Sequence, residues 1–242
     1  MTEVNATEAR KRLILALDVP SLAAGEALLD KLEGRVGLVK VGLELYTACG
    51  PSAVEAVKRR GLDVFLDLKL HDIPATVAGA VRSARGLGVA MLTVHTGGGA
   101  EMIRRAAEEA GDAIRILGVT LLTSLGPEDL PAVSIMGTPG EVVERRAVLA
   151  ATAGCGGVVC SPKEVRAVRA AVGSKVAIVT PGIRPAGAAI GDQKRAATPA
   201  SAIADGADYL VVGRPIHGES DPAAAAESIV EEIRRALAAR EA

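Results

Sequence analysis

Short apolar segments that alternate with segments of helical character constrain the fold of this sequence most strongly. The segments between the apolar runs often begin with Ser, Thr or Pro and finish at Gly, as helices commonly do. The predicted strands span residues 13–18, 37–42, 62–69, 89–95, 114–122, 156–161, 175–180 and 208–213. Strands that alternate with helices form parallel sheets, so the pattern predicts an α/β protein.

Eight strand–helix units in 242 residues match the size of a (β/α)8 TIM barrel. A doubly wound open sheet is the alternative architecture, but no G-x-G-x-x-G motif follows the first predicted strand. No linker divides the chain, so residues 1–242 are expected to form a single barrel domain. The connections 122–140 and 181–199 are long and rich in Gly and Pro, which makes them candidate lids.

The composition argues against several classes of partner. The net charge of -1 and the presence of only three aromatic residues argue against a nucleic-acid-binding protein. No apolar run reaches membrane-spanning length, so no membrane association is expected. Three cysteines without a C-x-x-C spacing indicate neither disulfides nor zinc, and no His/carboxylate spacing resembles a metal site. We therefore expect a cytoplasmic protein that binds no metal.

The third predicted strand, LDVFLDLKL, carries charges inside an apolar pattern. Its alternating Leu and Val residues share one face, whereas Asp63, Phe65, Asp67 and Lys69 share the other. A carboxylate and an ammonium on a buried face are costly unless they neutralise each other or a ligand. Asp67 and Lys69 therefore form either a structural ion pair or part of a functional site.

Further charges fall at the ends of the first two strands. By the same alternation, Asp18 and Lys40 project to the interior, so Asp18, Lys40, Asp67 and Lys69 converge at the C-terminal mouth of a barrel. That mouth is where TIM barrels hold their active sites. A single strand-end charge is more often a loop-anchoring ion pair, but a layer that served stability alone would be filled by Val or Leu. Four converging charges therefore predict a functional site.

A second group of residues predicts an anion site. Gly213 and Arg214 follow the eighth strand, and Arg184 and Gln193 lie in the connection after the seventh. Glycine allows backbone N–H groups to approach an anion, and arginine adds charge-assisted contacts. Barrel phosphate sites often use the loops after strands seven and eight, so a phosphorylated ligand is expected.

The remaining histidines and cysteines receive structural interpretations. His95 is interpreted as a hydrogen-bonded structural histidine, and His71 and His217 as isolated residues. Cys155 and Cys160 flank the sixth strand and are interpreted as small core residues.

The motif D-x-K-x-x-D-I-P-x-T at residues 67–76 resembles the signature of the orotidine 5'-monophosphate decarboxylase family. Further blocks follow that family's order over nearly the whole chain. They are ALD (16–18), VKVG (39–42), LLTS (121–124), VVCS (158–161), TPGIRP (180–185), GDQKR (191–195) and VVGRPI (211–216).

The resemblance implies a cofactor-independent carboxy-lyase that converts orotidine 5'-monophosphate into uridine 5'-monophosphate and CO2 in de novo pyrimidine biosynthesis. It implies that Lys69 is the proton donor and that Asp67 and Lys40 are its charged neighbours. It also implies a homodimer with shared active sites, in which Asp72 and Thr76 cross the interface.

The resemblance also implies which residues bind each part of the substrate. It places Asp18 and Lys40 at the ribose and Thr123 with Ser124 at the pyrimidine. The full implied substrate-binding set is Asp18, Lys40, Asp67, Ile73, Thr76, Thr123, Ser124, Pro181, Arg184, Gln193, Gly213 and Arg214. The phosphate contacts among them are Arg184, Gln193, Gly213 and Arg214.

Two other functions are compatible with parts of this pattern. Magnesium-dependent sugar-phosphate decarboxylases and aldolases of the same suprafamily share D-x-K-x-x-D, but they place a Glu metal ligand in strand two, where this chain has Lys40. A non-catalytic protein that binds a phosphorylated ligand on a barrel scaffold is the alternative from a different class.

Overall fold

The computed structural model describes residues 5–185 and 197–241, and its strands close into one parallel barrel in the order β1 to β8. Every neighbouring pair of strands is parallel, including β8 against β1. The strands are β1 Leu13–Ala16, β2 Leu38–Gly42, β3 Asp63–Leu70, β4 Met91–His95, β5 Arg115–Val119, β6 Gly157–Val159, β7 Ala177–Thr180 and β8 Tyr209–Val212. The predicted (β/α)8 TIM barrel is confirmed, and the open doubly wound sheet is wrong. The assignment of residues 1–242 to a single domain stays a prediction.

Helices follow the strands around the outside of the barrel. Within the described ranges they are α1 Ala6–Lys11, α2 Leu22–Lys31, α3 Leu43–Cys49, α4 Pro51–Lys58, α5 Pro74–Leu87, α6 Gly99–Ala110, α7 Pro139–Thr152, α8 Val165–Val172, α9 Pro199–Asp205, α10 Arg214–His217 and α11 Pro222–Glu241. Side chains of Ser21, Thr138 and Thr198 cap α2, α7 and α9, in agreement with the predicted helix starts. The short helices α3 and α10 were not predicted, because each begins immediately after its strand at a glycine N-cap. No helix in the described ranges is both long and apolar enough to cross a bilayer.

Two separate apolar cores follow from the alternation of each strand. The core between barrel and helices contains Leu13, Leu15 and Leu17 of the first strand segment. The barrel interior contains the side chains of opposite parity, which are Ile14, Ala16, Leu38, Phe65, Met91, Leu117, Val179 and Val211. The predicted assignment of strand faces is therefore confirmed for the first three strands. The charged residues at the ends of these strands accordingly project into the mouth of the barrel.

The end of β3 departs from regular geometry. Leu66 pairs with Leu92 and Leu70 pairs with Val94, so residues 67–69 of β3 lie opposite a single residue of β4. Within this bulge Lys69 has a φ of 50°, in the left-handed region that non-glycine residues rarely occupy. A bulge bends a strand and redirects its side chains, here at the rim of the barrel.

Gly37 permits a close approach that sets the start of β2. A Cβ at residue 37 would lie 2.5 Å from the carbonyl oxygen of Arg10 and 2.6 Å from the Cα of Lys11. Both are backbone atoms, so a side chain at residue 37 cannot be accommodated by a change of rotamer.

We predict that Gly37→Ala lowers the free energy of unfolding by about 1–3 kcal/mol, because it overpacks a backbone contact. The control is Gly86→Ala on α5, where a Cβ meets no atom within 4 Å. That change should raise stability by up to about 1 kcal/mol through helix propensity. Urea denaturation followed by circular dichroism measures both, and equal stabilities would contradict the close approach.

Candidate active site

A cavity of about 420 Å³ opens at the C-terminal mouth of the barrel and gathers most of the predicted site residues. Its floor is apolar and comes from the upper layer of the barrel interior. The lining residues are Ala16, Asp18, Lys40, Phe65, Asp67, Lys69, Thr123, Val159, Pro181, Gly182, Arg184, Val211, Gly213, Arg214 and His217. Charge thus surrounds an apolar floor, as suits a ligand with a flat apolar part and charged ends.

The carboxylate of Asp67 lies at the centre of a charged array. Lys69 Nζ lies 2.8 Å from Asp67 Oδ2, and Lys40 Nζ lies 3.7 Å from the same oxygen. The other oxygen, Oδ1, accepts a 3.0 Å hydrogen bond from the hydroxyl of Thr93. The side chains of Lys40 and Asp67 are each only 11% exposed, so the two opposite charges compensate one another in a largely buried setting.

Asp18 extends the array toward solvent. Its Oδ1 accepts a 2.8 Å hydrogen bond from Lys40 Nζ, and its side chain is 47% exposed. The glycine that ends β2 leaves room for this pair, since a Cβ at Gly42 would lie 2.8 Å from Lys40 Nζ. Acidic and basic groups therefore alternate from Asp18 through Lys40 and Asp67 to Lys69.

The part of the cavity that follows β7 and β8 carries the arginines predicted for an anion. Arg184 follows β7, where its Nη1 donates a 2.8 Å hydrogen bond to the carbonyl oxygen of Ile183. Gly213 and Arg214 follow β8 and line the same cavity. Gln193 lies outside the described residues.

Four predicted residues do not line this cavity in the single chain. Asp72, Ile73 and Thr76 follow β3 and are exposed, as is Ser124 after β5. Asp72 Oδ1 accepts a 2.6 Å hydrogen bond from the backbone N–H of Ile73, whose exposure is 67%. These side chains are available at the surface of the chain.

Sequence reasoning missed two polar residues of the site. His217 was interpreted as isolated, which is wrong, because it lines the cavity together with Arg214. Its spacing of three residues from Arg214 on one helical turn is a signal that could have found it. Thr93 was also missed, although alternation from Met91 on β4 places it on the inner face.

His71 is likewise not isolated, because its ring centroid lies 5.5 Å from that of His95. Burial lowers the pKa of His95 below its ordinary value, and the neighbouring side chains of His71, Arg146 and Lys69 lower it further. A neutral imidazole at pH 7 follows.

The cysteines behave as core residues, as predicted. Cys155 and Cys160 are buried, and burial raises the pKa of each thiol to about 12. Both thiols are therefore protonated at neutral pH and are poor nucleophiles. Within residues 5–185 and 197–241, no group of three or more His, Cys, Asp and Glu side chains is arranged to hold a metal ion.

We predict that Asp67→Asn lowers the free energy of unfolding by about 3 kcal/mol, because it leaves two neighbouring ammonium groups without their shared carboxylate. The matched control is Asp18→Asn, which should cost less than about 1 kcal/mol because that carboxylate is half-exposed. Chemical denaturation at pH 7 measures both variants. A smaller loss for Asp67→Asn than for Asp18→Asn would contradict the central position of Asp67.

Comparison with known proteins agrees with this geometry. A sequence model of the family described as "Orotidine 5'-phosphate decarboxylase / HUMPS family" matches residues 11–229. Orotidine 5'-phosphate decarboxylase of Anaeromyxobacter dehalogenans is 57% identical over 219 residues, which is 90% of this chain and 96% of that protein. The enzyme of the same name from Moorella thermoacetica is 52% identical and covers 96% of each chain.

Solved structures give the same result. The crystal structure of orotidine 5'-phosphate decarboxylase from Lactobacillus acidophilus superposes with a TM-score of 0.81 at 36% identity. The match covers 91% of this chain and 98% of that one. By sequence over most of its length, and by fold, the chain belongs to the orotidine 5'-phosphate decarboxylase / HUMPS family.

Proposed function

We propose that the protein is an orotidine 5'-phosphate decarboxylase, which converts orotidine 5'-monophosphate into uridine 5'-monophosphate and CO2 in de novo pyrimidine biosynthesis. The observation that carries the proposal is the alternating array of Asp18, Lys40, Asp67 and Lys69 at the mouth of the barrel. It lies in one cavity with the arginines expected to bind the phosphate. The cytoplasmic location expected from the sequence is part of this proposal.

Lys69 is the proton donor in this mechanism. Loss of CO2 from carbon six of the pyrimidine leaves a carbanion whose electron pair cannot delocalise into the ring carbonyls. An ammonium held at that carbon stabilises the developing charge and then donates its proton to it. The contact between Lys69 Nζ and Asp67 Oδ2 supports this role, because the carboxylate compensates the charge of the ammonium and restricts its position.

Asp67 and Lys40 complete the electrostatic environment of the reaction. Asp67 lies beside the substrate carboxylate and holds Lys69 in place, while Lys40 compensates its charge from β2. Fixed charges in a largely buried site act without reorganisation, which is the main source of such stabilisation. No cofactor is needed to accept the electron pair.

Substrate binding uses both sides of the cavity. Asp18 and Lys40 bind the ribose hydroxyls, and Thr123 lies beside the pyrimidine together with Ser124 from the same connection. Pro181 closes the wall of the cavity after β7. The proposed phosphate contacts are Arg184, Gln193, Gly213 and Arg214. Binding energy gained at the phosphate, remote from carbon six, is then available to the chemical step.

A homodimer with shared sites completes the proposal. Asp72, Ile73 and Thr76 are exposed in the single chain, at the turn that leads from β3 into α5. In the dimer, Asp72 reaches the charged array of the second subunit, Thr76 crosses the same interface, and Ile73 contributes to substrate binding. An interface at this turn also covers the apolar side chain of Ile73, which is 67% exposed.

The position of Lys40 distinguishes this function from the magnesium-dependent alternative. Its ammonium lies 2.8 Å from Asp18 Oδ1 and 3.7 Å from Asp67 Oδ2, so a positive charge already lies between the two carboxylates. A divalent cation bound to the same carboxylates would be repelled by this ammonium.

We predict that the purified protein consumes orotidine 5'-monophosphate at the same rate with and without excess EDTA, as followed by the change in ultraviolet absorbance. Lys69→Ala should lower kcat at least about 10⁴-fold, since it removes both the proton donor and the stabilising charge. The control is Lys11→Ala, which breaks an exposed ion pair with Glu8 far from the site and should retain full activity. Loss of activity with EDTA would favour a magnesium-dependent enzyme, and no turnover by the parent protein would favour a non-catalytic binder.

We also predict that mixing Lys69→Ala and Asp72→Ala dimers restores activity. Subunit exchange creates hybrids in which one of the two sites has both Lys69 from one chain and Asp72 from the other. Complete exchange in an equimolar mixture makes half of the dimers hybrids, so about one quarter of all sites should be intact. Exchange is followed independently with differently tagged subunits, and absence of recovery despite exchange would contradict the shared site.

A further inference from the structure

Thr93 has a position that the proposed mechanism does not use. It is fully buried on β4 and is the single residue opposite the bulge formed by residues 67–69. We propose that the hydroxyl of Thr93 is a positioning group that holds both the carboxylate of Asp67 and the backbone of Lys69. This inference rests on the proposed decarboxylase function.

One hydroxyl makes both contacts at once. The backbone N–H of Lys69 donates a 2.8 Å hydrogen bond to Thr93 Oγ1, and the same hydroxyl donates a 3.0 Å hydrogen bond to Asp67 Oδ1. A hydroxyl has one proton to donate and two lone pairs, so the two bonds do not compete. A backbone N–H donates and a carboxylate oxygen accepts, so the chain of bonds runs from Lys69 through Thr93 to Asp67.

The first contact supports an unfavourable backbone conformation. Lys69 has a φ of 50°, where a side chain at Cβ is crowded. In a regular ladder its N–H would bond to a backbone carbonyl of the neighbouring strand, but three residues of β3 face only one of β4 here. The hydroxyl of Thr93 replaces that carbonyl, and it thereby holds the backbone from which the Lys69 side chain departs.

The second contact orients the carboxylate. With Oδ1 occupied by Thr93, the remaining oxygen, Oδ2, faces Lys69 Nζ at 2.8 Å and Lys40 Nζ at 3.7 Å. Rotation of the Asp67 carboxylate would break the bond to Thr93. The hydroxyl therefore couples the conformation of one catalytic residue to the orientation of the other, although Thr93 is absent from the cavity lining.

A positioning role predicts that loss of the hydroxyl slows the chemical step and leaves the affinity for substrate and product nearly unchanged. Misplacement of Lys69 Nζ affects charge that develops in the transition state, whereas the phosphate and ribose contacts are unchanged. Removal of the hydroxyl should therefore lower kcat about 10- to 100-fold. The KM for orotidine 5'-monophosphate and the Kd for uridine 5'-monophosphate should each stay within about threefold of the parent values.

The test compares two matched pairs of side chains. Thr93→Val removes the hydroxyl at nearly constant shape, and Thr93→Ser and Thr93→Ala differ from each other only by the hydroxyl. The control is Thr96→Val, which removes another buried hydroxyl, bonded at 2.8 Å to the carbonyl oxygen of Val119 rather than to a residue of the charged array. We expect Thr93→Ser and Thr96→Val to retain kcat within about threefold.

The outcomes separate this inference from the proposed function. Absence of decarboxylase activity in the parent protein would contradict the proposed function itself. With an active parent, equal kcat values for the Ser and Ala variants, or a loss in Thr93→Val no larger than in Thr96→Val, would overturn the positioning role. Insoluble Val and Ala variants beside an active Ser variant would also overturn it, since the hydroxyl would then be required only for folding.

Discussion

The charge of Asp67 is the constraint on which the rest of the site depends. A carboxylate that is 11% exposed at the top of an apolar barrel is costly unless positive groups compensate it. Two ammonium groups do so, from β2 and from its own strand, and the Thr93 hydroxyl bonds the second oxygen. Asp67 is the carboxylate that both lysines share, and Lys40 also bonds Asp18. The bulge in β3 redirects the end of the strand that carries Asp67 and Lys69. The absence of a side chain at Gly42 leaves room for Lys40 Nζ.

Closure of the barrel gives the site its second half. The charged array comes from the ends of β1, β2 and β3, whereas the proposed phosphate contacts follow β7 and β8. In an open sheet of this strand order the two groups would lie at opposite edges. In the closed barrel β8 pairs with β1, so Arg214 and Asp18 follow neighbouring strands and line one cavity. A substrate with a phosphate at one end and a reacting carbon at the other thus has contacts at both ends, and these are held by a single rigid sheet.

Strand alternation was sufficient to predict which side chains enter the barrel, because each strand has one face toward the helices and one toward the interior. It did not predict the bulge. Regular alternation puts Asp67 and Lys69 on one face of an extended strand, whereas residues 67–69 lie opposite one residue of β4 and Lys69 has a positive φ. A bulge depends on how many residues the neighbouring strand supplies, and no local pattern in β3 contains that number. Spacing could have placed Thr93 on the inner face and His217 beside Arg214. It could not have shown that Thr93 contacts Asp67 and Lys69, which are distant in the sequence.

The charge of the array suits the proposed reaction at each step. Asp18, Lys40, Asp67 and Lys69 carry two positive and two negative charges, and Asp72 of the second subunit adds one negative charge in the proposed dimer. The substrate carboxylate brings one further negative charge. Departure of neutral CO2 leaves that charge on the pyrimidine carbon. Proton transfer from Lys69 then neutralises the carbon and leaves an uncharged amine, so the negative charge passes to the array. The total charge in the site is constant throughout, and only its position changes. Fixed side-chain charges can stabilise such a shift without charge entering from solvent, which explains how a largely buried site can do without a cofactor.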